Sequence, residues 1–356
     1  MSKPSICIKT SKKHGQKIIA LVSKLELIDK SLEIEREQDN LCIPIVRQPQ
    51  ENELTMLKGE VPETQLSNAV FKEKELPKEN LIQVLENKLP PNLIAMLPQA
   101  LDVIGDIAII DIPPELKSSE NIIGEAILQT HRNVKTVLAK AGAISGTYRV
   151  REYDFIAGEQ KTQTVHKEFG CRYHVDVAKA YFSPRLSHEH ERVASFVQKG
   201  ETVGDLFAGV GPFSILIAKK NPTVKVYAVD LNPEAVELLK VNVRVNRVEN
   251  RVLPILGDSR QITSSKLKEV ADRVIMNLPE KAIEFVDAAC QTIKPEGGII
   301  HFYAFVRSPD SIENLKLRFN QAVESTGRKV EAFLYAKSIR ETAPFESQIV
   351  LDTKIV

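Results

Sequence analysis

Val203-Gly204-Asp205-Leu206-Phe207-Ala208-Gly209-Val210-Gly211-Pro212-Phe213 is the stretch on which the fold turns. Val203 to Phe207 is a short apolar run that reads as a strand. Gly209 and Gly211 then let the chain turn tightly and bring bare backbone close to a ligand. Pro212 suits the first turn of a helix, where its missing N–H costs nothing. Residues 213–220 follow as that helix. The segment is a strand, a glycine turn and a helix. It lacks the third glycine of the dinucleotide fingerprint GxGxxG, so on its own it is weak evidence for a cofactor loop.

Three marks downstream sharpen the reading. Residues 225–230 form a second strand ending in Asp230. A doubly wound sheet places a carboxylate there, about 20 residues after the glycines, to accept hydrogen bonds from ribose hydroxyls. Asn232-Pro233 opens a helix over 234–246. Residues 252–256 form a third strand, with Gly257-Asp258 at its end, where an acid can accept an adenine amino group. A fourth strand, 272–276, ends in Asn277-Leu278-Pro279. Singly, each polar tip reads as a helix cap. Together they place a ligand beyond the carboxyl ends of the strands. They predict an α/β class I methyltransferase (Rossmann-like) sheet that binds S-adenosylmethionine (AdoMet). A nicotinamide enzyme is the main competitor within this fold. The missing glycine and the Asn-Leu-Pro tip argue against it.

The chain has 356 residues, enough for two or three domains. It is 43% hydrophobic and 27% charged, the balance of an ordinary globular protein. No apolar run approaches the roughly 18 residues that span a bilayer. Residues 1–10 carry no signal-peptide core. Cys7, Cys42, Cys171 and Cys290 form no CxxC pair and read as reduced thiols. The expectation is a cytoplasmic protein without metal. Net charge is +1, yet residues 1–25 hold Lys3, Lys9, Lys12, Lys13, Lys17 and Lys24 and no acid. Such a local patch can bind phosphate without a basic total; a solvated helix face and a basic tail would leave the same pattern.

Residues 1–47 read as a small α+β domain, with strands at 6–9, 32–36 and 40–46 and a helix at 15–24. Residues 48–78 are polar and proline-punctuated and read as a linker. Residues 79–180 read as an α+β substrate-side domain. It has no glycine loop, and one of its strands covers 147–157. Residues 181–356 form the AdoMet-binding domain. It ends in a helix at 281–293, a strand at 298–304, a helix at 311–325 and two strands near 329–336 and 348–352. Such a terminal hairpin commonly adds an antiparallel edge to a parallel sheet.

The segment Tyr181-Phe182-Ser183-Pro184-Arg185-Leu186, followed by Glu189, is more specific. So are Gly146-Thr147-Tyr148-Arg149-Val150-Arg151-Glu152, Ile156-Ala157-Gly158-Glu159 and His166-Lys167-Glu168. With Asp205 through Pro212 and Asn277-Leu278-Pro279, the chain resembles the archaeal and eukaryotic type of tRNA (guanine-37 N1)-methyltransferase over nearly its whole length. The resemblance implies a fold of three parts: the methyltransferase sheet, an α+β RNA-binding domain and a small N-terminal α+β domain. It implies AdoMet as cofactor, tRNA with G37 as partner, a monomer, and no membrane or metal.

It also implies site roles. Guanine N1 carries a proton at neutral pH, so methylation needs a base for that proton and a cation at O6. The resemblance puts the base at Glu189 and the cation at Arg149, with Arg151 a close alternative. Asn277 would bond the guanine edge, Pro279 would shape the pocket, and Tyr181 would hold the flipped base. Expected cofactor contacts are Asp205, Phe207, Gly209, Gly211, Asp230, Leu231, Asp258, Ser259, Asn277 and Arg185. The lysine-rich first domain would read tRNA shape.

Read without the resemblance, Glu189 is a first-turn carboxylate favoured by the helix dipole, Arg149 a surface or phosphate contact, and Tyr181 a core residue. His188 and His190, with Glu191 and Arg192, read as a solvated helix face rather than a metal site. Cys290, mid-helix, does not suit a cysteine-nucleophile route. Three alternatives stand beside the main reading. One is methylation of an exocyclic amine, whose usual Asn/Asp-Pro-Pro-aromatic motif is replaced here by Asn277-Leu278-Pro279-Glu280. Another is added methylation of a wyosine precursor at position 37. The last is a tRNA-binding protein without catalysis.

Overall fold

The computed structural model describes residues 2–37, 39–73, 80–98, 100–142, 146 and 148–356. The chain divides into two compact units, Met1–Asn80 and Leu81–Val356.

The first unit contains β1 (Ser2–Ser11), α1 (Gly15–Lys24), β2 (Glu35–Glu37), β3 (Asn40–Pro44), α2 (Glu51–Glu60) and β4 (Gln65–Lys72). Its sheet runs β2-β3-β1-β4, with every pair antiparallel. Ile18 and Val22 of α1, four residues apart and so on one helix face, bury against Ile8, Ile43 and Leu57. Cys7, Leu32, Cys42 and Phe71 form a second cluster.

The expected linker at 48–78 is therefore corrected. Its described residues hold a helix and a strand. The Gln50 N–H donates to Glu53 at 2.7 Å and opens α2, which needs only Leu57 as a buried anchor. β4 is polar because it is an edge strand, with Phe71 fully buried and its ladder to β1 supplied by backbone. Residues 74–78 of that stretch lie outside the described residues. Lys9 pairs with Glu37 and Lys17 with Glu60, so two of the early lysines are already neutralised.

The second unit begins with α3 (Leu81–Leu85), α4 (Pro91–Ile94), β5 (Leu101–Ile104), β6 (Ile107–Ile110), α5 (Glu120–Thr130), β7 (Thr136–Lys140) and β8 (Tyr153–Gly158). These strands pair in the order β5-β6-β7-β8, with β6 and β7 parallel across α5. The strand expected over 147–157 starts later, at Tyr153. Gly146 (φ 70°) and Arg149 (φ 55°) take left-handed backbone, which a strand does not accommodate. Thr147 lies outside the described residues.

The hairpin β9 (Gln163–Glu168) and β10 (Cys171–Asp176) follows, then α6 (Ser187–Phe196). The remaining elements are β11 (Thr202–Asp205), α7 (Pro212–Lys220), β12 (Lys225–Asp230), α8 (Pro233–Val245), β13 (Val252–Leu256), α9 (Ser259–Ile262), β14 (Arg273–Met276), α10 (Val286–Thr292), β15 (Gly298–Arg307), α11 (Ile312–Glu324), β16 (Val330–Ala343) and β17 (Glu346–Ile355). Seven strands form one sheet in the order β13-β12-β11-β14-β15-β17-β16. The first five are parallel, and β17 runs antiparallel beside β15. Val203, Phe213, Leu216 and Leu239 belong to one core cluster, and Ile300, Phe302, Phe319 and Cys290 to another. The terminal strands are longer than expected because their ladder continues to the 346↔343 pairing at the hairpin turn.

A boundary at 180/181 does not divide this unit. Tyr173 and Val175 of β10 lie in the same core as Val193 and Phe213. Asn242 of α8 accepts from the His174 N–H at 2.6 Å and donates to its carbonyl at 3.1 Å. Asn246 does the same for Arg172, at 2.9 and 2.6 Å. Two asparagines one helical turn apart thus stand in for a neighbouring strand and satisfy backbone that burial would otherwise penalise.

Candidate active site

Parallel strands share a carboxyl edge, and the loops after β11, β12, β13 and β14 line a cavity of about 660 Å³. Gly209 (φ 55°) and Gly211 (φ 92°) shape the first loop. A Cβ on Gly209 would meet only the Tyr181 carbonyl, at 3.7 Å, so a side chain there would grow into the cavity both residues line. At Gly211 a Cβ would stand 2.3 Å from Leu239 Cδ1. Gly211 therefore packs against α8 and lies beside the cavity wall instead of on it.

Asp205 also lies off the wall. It ends β11 fully buried, beneath the wall. The Ser214 hydroxyl donates to its Oδ2 at 2.6 Å and ties the glycine turn to α7. Burial, with Asp230 nearby, pushes its pKa up to about 7.

Asp230, at the end of β12, does line the cavity. Its Oδ2 accepts from the Gly209 N–H at 2.7 Å and its Oδ1 from the Asn232 N–H at 2.9 Å. Burial raises its pKa. Asp258 caps α9 through Oδ1, which accepts from the N–H groups of Arg260 and Gln261. Ser259 lines the cavity, and its hydroxyl donates to the Leu206 carbonyl at 2.5 Å. Phe207 and Leu231 add apolar wall. Sequence reasoning missed Phe285, which meets Phe207 edge-on with centroids 5.1 Å apart and carries the Arg260 guanidinium 4.2 Å above its ring. Its signal was an aromatic shortly after the Asn-Leu-Pro tip.

The same cavity is lined by Tyr181, Arg149, Asn277, Pro279 and Glu280. The Phe305 N–H donates to the Pro279 carbonyl at 3.2 Å and anchors this loop to β15. Arg149 Nη1 lies 2.9 Å from Glu280 Oε2, and the Arg149 guanidinium lies 5.6 Å from the Tyr181 ring centre. Arg151 points elsewhere: it donates to the Gly142 carbonyl at 2.8 Å and lines a smaller cavity of about 210 Å³. Arg340, also missed, comes from β16. It donates to the Tyr181 hydroxyl at 3.3 Å, to Ser183 Oγ at 2.9 Å and to Gln348 Oε1 at 2.9 Å.

Two further residues are placed differently from expectation. Arg185 grips Asp102 of β5 with two bonds, at 2.5 and 3.0 Å, and faces the smaller cavity instead of the larger. Glu189 is buried in the first turn of α6 and is not on the cavity wall, although its neighbours Leu186 and His190 are. Arg192 Nε donates to both Glu189 oxygens, at 3.0 and 3.1 Å, and the Tyr303 hydroxyl donates to Oε2 at 3.1 Å. Arg192 also reaches Asp352 of β17 at 2.5 Å, and His301 Nδ1 lies 2.6 Å from the same acid. Burial opposes the charge on Asp352, but His301 and Arg192 hold its pKa down to about 2.

The solvated helix face is thus overturned for His190 and Arg192, while His188 is exposed as expected. Arg192 is largely buried because two carboxylates, Glu189 and Asp352, hold its charge. His190 is buried against Phe213, with Nδ1 2.7 Å from Glu168. Among the described residues, no group of three or more His, Cys, Asp or Glu is arranged to hold a metal, and no helix is long and apolar enough to cross a membrane. Cys290 is buried in α10.

Sheet order, glycine turn and strand-end acids define a class I methyltransferase fold. Residues 164–331 match the TRM5/TYW2 methyltransferase domain, residues 81–162 the TYW2 N-terminal domain and residues 7–53 the tRNA methyltransferase 5 N-terminal domain. The chain is 42% identical over 352 residues to tRNA (guanine(37)-N(1))-methyltransferase Trm5b of Pyrococcus abyssi, covering 99% of each protein. It is 36% identical over 255 residues to tRNA 4-demethylwyosine(37)-methyltransferase Taw21 of Saccharolobus solfataricus, covering 71% of this chain and 93% of that one. A solved complex of aTrm5 and tRNALeu matches with a TM-score of 0.73 and 35% identity, over 99% of this chain and 100% of that chain. The chain belongs to the TRM5/TYW2 methyltransferase family.

Proposed function

We propose that this chain transfers a methyl group from AdoMet to N1 of guanine 37 in tRNA. The observation that carries the reading is one cavity lined both by strand-end acids with an apolar wall and by Arg149, Asn277 and Tyr181. The full-length likeness to Trm5b supports it.

AdoMet, when bound, supplies a methyl group already activated by its positive sulfur, so the transfer calls for no metal. The strand-end acids suit it. Asp230 is held rigid by two backbone N–H groups and keeps lone pairs for ribose hydroxyls. Asp258 would hold the adenine amino group, Phe207, Leu231 and Phe285 would pack on the rings, and the bare backbone of Gly209 gives room. Ser259 and Asn277 would complete that contact.

In the same cavity, Arg149 steadies charge developing on guanine O6 and Asn277 bonds the guanine edge. Pro279 fixes the loop, and Tyr181 holds the base turned out of its stack. Glu189 takes the N1 proton, exchanging its Arg192 pair for the base; geometry in a free enzyme often tightens only with substrate. The first unit reads the shape of the tRNA. The enzyme works as a cytoplasmic monomer.

The test is transfer of labelled methyl from AdoMet to unmodified tRNA transcripts carrying G37 or A37, with nucleoside identification. 1-Methylguanosine from the G37 transcript alone supports the reading. Labelling of both, or an exocyclic-amine product, overturns it. The likeness to Taw21 adds a second candidate substrate, tRNA carrying 4-demethylwyosine, to the same assay.

A further inference from the structure

We propose that Glu280 reads the amino edge of the target guanine and so sets base specificity at this site; the inference rests on the function proposed above. Glu280 follows the Asn277-Leu278-Pro279 tip directly, lines the large cavity and is half-exposed there. Among the described residues its sole ionic partner is Arg149, with Oε2 2.9 Å from Nη1. That Nη1 is buried and makes no well-aligned hydrogen bond, so the contact leaves the directional demand of the guanidinium nitrogen unmet.

A guanidinium beside a carboxylate presents a donor next to an acceptor. The guanine edge presents the complement: O6 accepts, and the adjoining N1–H and 2-amino group donate. With O6 on Arg149, the carboxylate of Glu280 lies on the side of N1–H and the amino group. Adenine offers a donor where guanine has O6 and would set its amino group against the guanidinium. Hypoxanthine keeps O6 and N1–H and lacks only the 2-amino group, so it isolates the contact assigned to Glu280. In the free protein the same carboxylate neutralises Arg149, and the entering base replaces one charge-assisted contact with two hydrogen-bonded ones.

The experiment compares single-turnover methylation of tRNA transcripts carrying guanine or hypoxanthine at position 37, using the full chain and its Glu280→Gln and Glu280→Ala variants. The unaltered protein prefers guanine by about tenfold or more, the factor expected for one charge-assisted hydrogen bond. Both variants bring that ratio towards one, with the loss falling on the guanine substrate. A purely structural role for Glu280 would slow both substrates equally and leave the ratio intact. An unchanged ratio in both variants, or no preference in the unaltered protein, overturns the inference. Absence of 1-methylguanosine from the guanine transcript with the unaltered protein would instead overturn the reaction itself, so the two failures are distinguishable.

Discussion

Replacing Asp205 with asparagine flattens the pH dependence of folding stability. Asp205 is fully buried at the end of β11, and its pKa stands at about 7 instead of the ordinary 3.8. The folded state therefore holds a proton that the unfolded chain has already released, and stability falls as pH rises through this window. Its contribution is complete below about pH 3.8, declines between there and pH 7, and is gone above. Summed over the whole shift, the loss is about 4 kcal/mol; between pH 5 and 7.5 it is about 2.5 kcal/mol. Other groups also respond to pH, among them His301, whose pKa burial lowers. Only the difference between the two proteins isolates Asp205. The assay is urea unfolding at half-unit steps from pH 5 to 7.5, with matched denaturant slopes as the check on two-state behaviour. The expected result is a variant whose stability gains on the parent by about 2.5 kcal/mol across the series. Parallel curves would refute the reasoning, because Asp205 would then have the same proton affinity in both states.

Three more outcomes are expected. Glu189→Gln keeps AdoMet affinity by calorimetry and lowers single-turnover methyl transfer by roughly 10²-fold; near-normal turnover would remove Glu189 from the reaction. Arg192→Met leaves Glu189 and Asp352 buried without their cation and lowers stability by about 3–5 kcal/mol in urea unfolding at pH 7; adding Asp352→Asn restores part of it, and strict additivity of the two changes would count against a shared network. Gly211→Ala, with φ at 92° and a Cβ 2.3 Å from Leu239 Cδ1, lowers stability by about 1–3 kcal/mol in the same measurement, and an unaltered midpoint would contradict the packing role given to this glycine.

The parallel half of the sheet was legible because its signals are local. A glycine pair, a proline and strand-end acids each act within a few residues, and Gly209, Asp230, Asp258 and Asn277 stand on the cavity as expected. Asp205 and Gly211 show the limit. The same motif supplies both residues on the cavity wall and the struts beneath them, and spacing does not separate the two. Long-range partners were not legible. Arg192 reads as a surface residue of α6 until Asp352, on another strand, is brought beside it. Arg340 and Asn242 likewise gain their meaning from partners more than 60 residues away. The strand at 65–72 was missed because an edge strand held by backbone bonds needs little apolar alternation.

The bond between Arg192 and Asp352 closes a loop of 160 residues. At about 5–20 residues added per second, the acid leaves the ribosome roughly 8 to 32 seconds after the arginine. Through that interval the nascent chain can build β11, its glycine turn and the strand-end acids of the cavity from neighbours already made. The carboxylate of Glu189 waits with an arginine whose second anchor does not yet exist. Order of synthesis therefore separates the parallel half of the sheet from the Arg192–Asp352 bond in time: the strands and the glycine turn are complete before Glu189's arginine gains its second anchor.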